Sequence, residues 1–134
     1  EITAQPLTAS AFAPFGDVLD CAGDPDKVIN AGMCGRYHDR AMLDFGDGRA
    51  GVSLFRAEPR SLPYTLDLLE RHPAGSQCFV PTAPGQAGNI HRGTWHGVLT
   101  PRHAPGLFAV IDRSGDGANL EEHVLEPPYL VSSD

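Results

Sequence analysis

The sequence is poor in lysine and contains no long apolar run. Lys27 is its only lysine, and the net charge is −7. Because nucleic-acid binding requires a basic surface that neutralises phosphates, this composition disfavours it. The longest apolar run, Gly106–Ile111, is far shorter than the roughly 20 residues of a membrane-spanning helix. We therefore expect neither a nucleic-acid partner nor membrane association.

Cysteine is also scarce, and its pattern does not suggest a disulfide framework. Cys21, Cys34 and Cys78 are odd in number, and no two of them form a Cys-x-x-Cys pair. Such cysteines are typical of reduced thiols in a cytoplasmic protein. The N-terminus shows no basic segment followed by an apolar stretch, as a secretory signal would have. The sequence predicts a cytoplasmic location.

The remaining composition predicts a single, mainly β domain spanning the whole chain. The 134 residues, 41% of them hydrophobic, suffice for one core. Fifteen glycines and 12 prolines divide the chain into short segments, which is typical of β proteins. Thr8 or Ser10 is expected to cap one short helix over Ala9–Ala13. Alternation in Val52–Ala57 and the apolar run Leu107–Asp112 predict strands.

Two segments are harder to assign. Leu62–His72 fits a helical stripe of leucines and equally fits a strand. As a strand it would carry an apolar wall inward and end with Glu70 and His72 at the mouth of a barrel. Both interpretations stay open. The C-terminal tail carries Pro127-Pro128 and ends in a polar segment that is expected to fray.

Glu70, His72 and Gln77 form the first candidate site. On a strand, Glu70 and His72 point the same way. After the turn at Pro73–Gly75, Gln77 could return to the same side on the partner strand. Such a set suits a metal ion or a polar ligand. The alternative is a surface hairpin with solvated charges.

A second candidate site lies in Asn89–His96. His91 and Trp95 share a face on a regular strand, whereas His91 and His96 do not. The only tryptophan, next to histidines and Arg92, indicates a pocket. The alternative is a structural histidine beside a tryptophan that packs in the core.

Two arginines outside these clusters are candidate anion binders. Arg36 belongs to an Arg-Tyr-His-Asp segment that could line an anion site or form a charged edge. Arg56 shares a strand face with Val52 and Leu54, so we expect it to point inward. Because a buried guanidinium is costly without a partner, Arg56 would need a carboxylate from the protein or from a ligand.

Six motifs, taken in order, resemble the ureidoglycolate lyase family. Each motif is weak by itself, but together they span almost the whole chain. They are PFGDV at Pro14–Val18, RYHD at Arg36–Asp39, SLFRAEP at Ser53–Pro59, LERHPAGSQCFVP at Leu69–Pro81, NIHRGTWH at Asn89–His96 and FAVIDRSG at Phe108–Gly115.

The resemblance implies a cupin-like (RmlC-like) antiparallel β-barrel with one short N-terminal helix, usually a homodimer. It also implies a divalent metal, recorded as nickel, and no organic cofactor. Its expected ligands are Glu70, His72, Gln77 and His91. Because only 13 residues separate Gln77 from His91, we expect that a strand–loop segment of the relatives is missing near Ala83-Pro84.

The implied activity is that of a carbon–nitrogen lyase of the amidine-lyase type. It would cleave (S)-ureidoglycolate to glyoxylate and urea in the allantoin branch of purine breakdown. His91 would be the general base, and its replacement by alanine should abolish turnover. Glu70 and His72 would be metal ligands, or acid and orienting group. The expected substrate-binding residues are Arg56, Arg92 and Arg36 for the carboxylate, Gln77 and Asn89 for the ureido group, and Trp95 in the pocket.

Two other functions remain open at this point. A hydrolase acting on the same substrate would release ammonia instead of urea. A non-catalytic cupin-like module would bind a small carboxylate without turnover. Product analysis separates the three.

Overall fold

The computed structural model describes residues 1–133, which form a mainly β structure with one short helix. The helix, α1, spans Ala9–Phe12. The strands are β1 (Ile2–Thr3), β2 (Gly16–Leu19), β3 (Lys27–Ile29), β4 (Cys34–Arg36), β5 (Arg49–Arg56), β6 (Tyr64–Arg71), β7 (Gln77–Pro81), β8 (Ala87–Ile90), β9 (Leu107–Ser114) and β10 (Glu121–Ser132).

Helix α1 is capped as one of the two sequence alternatives predicts. Thr8 has extended backbone angles, and its side chain accepts a hydrogen bond from the Ala11 amide at 3.3 Å. After the helix, the chain turns into β2 at Gly16, where a Cβ would collide with the main chain of Asn89. Glycine therefore allows β2 to approach β8 closely. No helix in residues 1–133 is both long and apolar enough to span a bilayer.

The strands form one large and two smaller sheets. The five-stranded sheet has the order β2-β8-β7-β9-β5, and every neighbouring pair in it is antiparallel. The second sheet has the order β1-β10-β6, in which β1 runs parallel to β10. β3 and β4 form a separate hairpin. The mainly β prediction with a short N-terminal helix is confirmed, but the described strands do not close into a barrel.

Strand β6 resolves the first ambiguous segment in favour of a strand. Tyr64 and Leu66 line an open apolar cavity between the sheets together with Phe79 of β7. Side chains alternate along a strand, so the even-numbered positions of β6 face inward. Glu70 belongs to this inward series, as the strand interpretation predicts, and the helical interpretation is wrong.

Strand β10 contains Pro127 and Pro128 and ends at Ser132, and the polar end that the sequence predicts to fray includes Asp134, which lies outside the described residues. The strand pairs with β6 along most of its 12 residues. The pairing shifts register between Val124 and Tyr129, and this irregularity contains Pro127 and Pro128. Prolines, which cannot donate to a β ladder, are tolerated at such irregularities.

The inner face of the five-stranded sheet carries both aromatic and polar side chains. Phe79 contacts Phe55 and Phe108 edge to face, with ring centroids 6.2 and 6.5 Å apart. Gln77 lies two residues before Phe79 and pairs directly with Asp112. Directly opposite residues share a face. Gln77 and Asp112 therefore face inward at one end of this sheet.

Candidate active site

Glu70, His72 and His96 form a compact cluster, hereafter the triad. Glu70 and His96 exchange two main-chain hydrogen bonds of 2.7 and 2.8 Å, which bring residue 96 opposite β6. One potential ligand atom from each of the three side chains lies within 4.8 Å of the other two. The triad thus joins the end of β6 to the segment that follows β8.

Main-chain carbonyls fix the orientation of both histidine rings. Nδ1 of His72 lies 2.7 Å from the carbonyl oxygen of Asn119, and Nδ1 of His96 lies 2.9 Å from that of Thr94. A carbonyl oxygen only accepts, so each Nδ1 must carry the proton. Each Nε2 is then left with a free lone pair.

The two Nε2 atoms are buried and have no hydrogen-bond partner among the described residues. Nε2 of His96 lies 3.6 Å from Oε1 of Glu70. A buried acceptor without a donor costs free energy, and two such atoms beside one carboxylate are unusual in a purely structural cluster. The triad therefore offers the free acceptors that a cation or a ligand hydrogen would need.

Burial lowers the pKa of His96 below its ordinary value. The hydrogen bond to Thr94 and the charge of Glu70 act in the opposite direction, whereas His72 adds to the lowering. His96 is therefore neutral at neutral pH, with Nε2 free to accept a proton or to ligate a metal.

The triad fits a divalent transition ion. Two imidazole nitrogens and one carboxylate oxygen are the donor set that such ions, nickel included, commonly accept. Metal-binding histidines usually donate their second ring nitrogen to a carbonyl or carboxylate, as His72 and His96 do here. The bare, buried Nε2 atoms are the observation that supports this fit.

Gln77 and Asp112 add polar groups on the inner face of the other sheet. Nε2 of Gln77 donates to Oδ2 of Asp112 at 3.3 Å. Oε1 of Gln77 is buried without a partner in the described part of the chain. Gln77 begins β7 directly after the turn that follows His72. Oε1 of Gln77 is therefore a third unpaired acceptor, only five positions after His72 in the sequence.

The sequence model of the ureidoglycolate lyase family matches residues 1–84 and 82–132. The chain belongs to the ureidoglycolate lyase family. It is 54% identical to the ureidoglycolate lyase of Rhodobacter capsulatus, with 95% of each chain covered. It is 43% identical to ureidoglycolate lyase 2 of Rhizobium meliloti, covering 95% of this chain and 94% of that protein. Identity to the Mesorhizobium japonicum lyase is 45%, with 97% and 96% covered.

The relatives contain residues that have no counterpart in this family member. The alignment with the Rhodobacter protein extends over 153 positions, more than the 134 residues of the chain. The two segments of the family match meet in the β7–β8 connection, which contains Ala83-Pro84. This is the junction at which the sequence predicts a missing strand–loop segment.

The structure of this ureidoglycolate lyase family member places His91 outside the triad, contrary to the predicted ligand set. Nε2 of His91 lies 3.0 Å from Oδ2 of Asp17. His91 directly follows Ile90, which lines the cavity, so its side chain points to the opposite side. Gly93, at φ 72°, then turns the chain. After this turn His96, not His91, comes to lie opposite Glu70.

Asn89 is also turned away from the triad and is fully buried. Its Nδ2 donates to Oδ2 of Asp17 at 3.0 Å and to the carbonyl of Met42 at 3.1 Å. Burial raises the pKa of Asp17, but hydrogen bonds from Asn89, His91 and the Met42 amide outweigh it and leave this pKa lowered. Asn89 and His91 thus help to hold an ionised Asp17 in place.

The expectation that Arg56 points inward is wrong. Val52 and Leu54, on the same face of β5, are 72% and 70% exposed, so this is the outer face. Ser53 and Phe55 occupy the inner face, where Phe55 contacts Phe79. Alternation alone identified the two faces of β5 but not which of them faces the core.

Three further predicted site residues, Arg36, Arg92 and Trp95, are not part of the triad. Arg36 is exposed on the β3–β4 hairpin. Arg92 forms an ion pair with Asp44 at 2.7 Å. Trp95 is 41% exposed, and the Arg71 guanidinium lies 4.7 Å from its ring centroid. Of the predicted site residues, the structure brings Glu70 and His72 together in the triad and leaves Gln77 nearby on the inner face.

Sequence reasoning missed His96 and Asn119. His96 lies five positions after His91, so the two cannot share one face of a continuous strand. Gly93 between the two histidines was the available signal, since a glycine turn resets the alternation. Asn119, which orients His72, lies 47 residues further along the chain. No local sequence pattern predicts this contact between Asn119 and His72.

Proposed function

We propose that this chain is a ureidoglycolate lyase that cleaves (S)-ureidoglycolate to glyoxylate and urea, a step of allantoin degradation, at the triad. The pair of buried, unpartnered Nε2 atoms beside Glu70 carries the proposal. Family membership and the names of relatives up to 54% identical support the choice of substrate. A carbon–nitrogen lyase reaction needs a proton acceptor and donor, and the triad offers both.

His96 moves the proton in the proposed reaction. Its Nε2 takes the proton of the substrate hydroxyl as the carbonyl of glyoxylate forms. The carbon–nitrogen bond breaks, and its electron pair leaves on the ureido nitrogen. The same Nε2 then returns the proton to that nitrogen, which completes urea. Glu70, 3.6 Å away, stabilises the imidazolium between the two transfers.

In the alternative role, the same three side chains would hold a divalent ion, with nickel the ion of the family resemblance, and Nε2 of His96 would then be a ligand instead of the proton carrier. Such an ion, when bound, supplies a Lewis acid that lowers the pKa of the substrate hydroxyl. Gln77 lies on the facing sheet and helps to bind the substrate. Its unpartnered Oε1 accepts a hydrogen bond from a ureido N–H.

A urea-release assay with purified protein and (S)-ureidoglycolate tests the proposal. Urea and glyoxylate in equal amounts, without ammonia, are the expected products. A parallel reaction with a chelator, then with Ni²⁺ restored, separates the two roles of the triad: loss and recovery of urea identify metal ligands, and urea unaffected by chelator identifies acid–base groups. Ammonia in place of urea would indicate the hydrolase, and binding without turnover would indicate a non-catalytic module.

We also propose that the fold is of the cupin-like class. Its support is the arrangement of two sheets whose inner faces both contribute to one open cavity: Tyr64 and Leu66 from β6, and Phe79 and Ile90 from β7 and β8. The triad at the end of β6 then lies at the mouth of an incompletely closed barrel.

We further propose that the protein is a homodimer and is located in the cytoplasm. The chain exposes 8815 Å² of accessible surface, about 2,000 Å² more than expected of a compact monomer of its mass. A standard interface needs only about 800 Å² from each partner. The outer face of β5, with exposed Val52 and Leu54, is the surface that a second copy would cover. Three free cysteines agree with a reducing compartment.

A further inference from the structure

An apolar cavity of about 400 Å³ opens beside the triad. Most of its wall consists of hydrocarbon from both sheets. Its lining includes Tyr64, Leu66, Phe79, Ile90, His96 and Val131. Its volume falls within the roughly 300–1,000 Å³ of small-molecule sites. We call it the apolar cavity.

His96 belongs both to the apolar cavity and to the triad. Because His96 is shared, the ureido end of a substrate bound at the triad would lie next to the apolar cavity. Unsubstituted ureidoglycolate has only polar groups to place there. Burying a ureido terminus against hydrocarbon without hydrogen bonds is costly, whereas each buried methylene strengthens binding about fourfold.

We propose that the apolar cavity is a subsite for an apolar substituent on the terminal urea nitrogen. The ligand class is N-alkyl or N-aryl ureidoglycolates, R–NH–CO–NH–CH(OH)–COO⁻, in addition to the parent compound. This inference rests on the proposed function of the triad. The bond broken is the same: the carbinol carbon–nitrogen bond cleaves, the hydroxyl proton moves to the leaving nitrogen, and the products are glyoxylate and R-urea.

Residues of both sheets would contact the substituent, one sheet on each side. Tyr64 and Leu66 supply one wall from β6, and Phe79 and Ile90 supply the other from β7 and β8. β7 and β8 are joined by the connection at which the family match divides into two segments.

The test compares kcat/KM for ureidoglycolate and its N-methyl, N-ethyl and N-butyl derivatives, with glyoxylate as the common readout. For the wild-type protein we expect kcat/KM to rise with chain length, by at least about tenfold from the parent to the butyl compound. This series needs no variant, so it does not depend on whether a substituted protein folds.

Leu66→Asn should reduce the ratio of butyl to parent kcat/KM about tenfold, because it places an amide in the apolar wall. Thr65→Asn is the matched control: Thr65 lies next to Leu66 on the exposed face of β6, and the ratio should stay unchanged. Turnover of the parent with a flat or falling series would overturn the subsite while leaving the lyase intact, as would a ratio insensitive to Leu66→Asn. Failure to cleave any member would overturn the lyase proposal itself, and the subsite with it.

Discussion

His72 and His96 each donate one ring nitrogen to a main-chain carbonyl and leave the other bare in a buried position. His91 differs, because its Nε2 is already engaged with Asp17 at 3.0 Å. A general base or a metal ligand needs a free lone pair. At the scale of single residues, this contrast in available lone pairs is the reason for proposing His96, and not His91, as the centre of the chemistry.

The pH dependence of turnover should report the lowered pKa of His96. Burial disfavours its charged form, so the active neutral ring persists below the ordinary histidine value of 6.5. We expect kcat/KM to stay level as pH falls through 6.5 and to decline only at lower pH. A pH–rate profile measures this, and an acid limb centred above 6.5 would contradict the assignment.

Strand alternation predicted part of the site and failed at definable points. It correctly placed Glu70 in the inward series of β6, because an alternating strand fixes relative side-chain directions. It could not choose the inner face of β5, since Leu54 on one face and Phe55 on the other are both apolar. Alternation also could not predict side-chain directions beyond Gly93, because a turn there interrupts the strand. The comparison of His91 with His96 therefore failed.

At the scale of elements, the β9–β10 connection holds the turn that presents His72. The carbonyl of Asn119 accepts from Nδ1 of His72, and its side-chain Oδ1 accepts from the Ala74 amide at 2.8 Å. One residue of this connection thus holds both ends of the segment 72–74. The orientation of His72 depends on an element that follows it by more than 40 residues.

Asn119→Ala should lower the free energy of unfolding by about 1 kcal/mol, because it leaves the half-buried Ala74 amide without its partner. It should also reduce kcat more than it changes KM, since it loosens the orientation of His72. Denaturant unfolding and steady-state kinetics measure the two effects. Asp116→Ala, in the same connection, is the control and should change neither. A variant with wild-type stability and kcat would show that Asn119 does not position His72.

The elements themselves were predictable to different degrees. The capped helix, β5 and β9 follow from a capping residue, from alternation and from a β-branched run. β10 does not, because Pro127 and Pro128 read locally as strand breakers. Its existence depends on pairing with β6, a contact between segments more than 50 residues apart that compensates for the irregularity.

At the scale of the whole molecule, the large exposed surface is the dominant feature. Within residues 1–133, only three hydrophobic side chains are buried: Val18, Cys78 and Val110. Much apolar surface is left for a partner to cover. The sequence predicted the fold class by its glycine and proline content, but the proposed function required the family resemblance, since no single motif specifies ureidoglycolate.

Leu54→Lys should convert the proposed dimer into a monomer, because it places a charge at the centre of the exposed β5 face. Sedimentation equilibrium measures the mass of each species, and the wild type should show twice the mass of the chain. Asp24→Lys in an exposed loop is the charge control and should remain dimeric. A wild-type protein that sediments as a monomer at micromolar concentration would contradict the proposed interface.

The central claim is that Glu70, His72 and His96 form the centre that releases urea. The most direct test is urea release from (S)-ureidoglycolate by His96→Ala and His91→Ala, each compared with wild type per folded molecule. We predict that His96→Ala loses at least about a hundredfold in kcat and that His91→Ala retains most of its turnover. A His96→Ala variant with near wild-type urea release, or an equal loss in His91→Ala, would contradict the account.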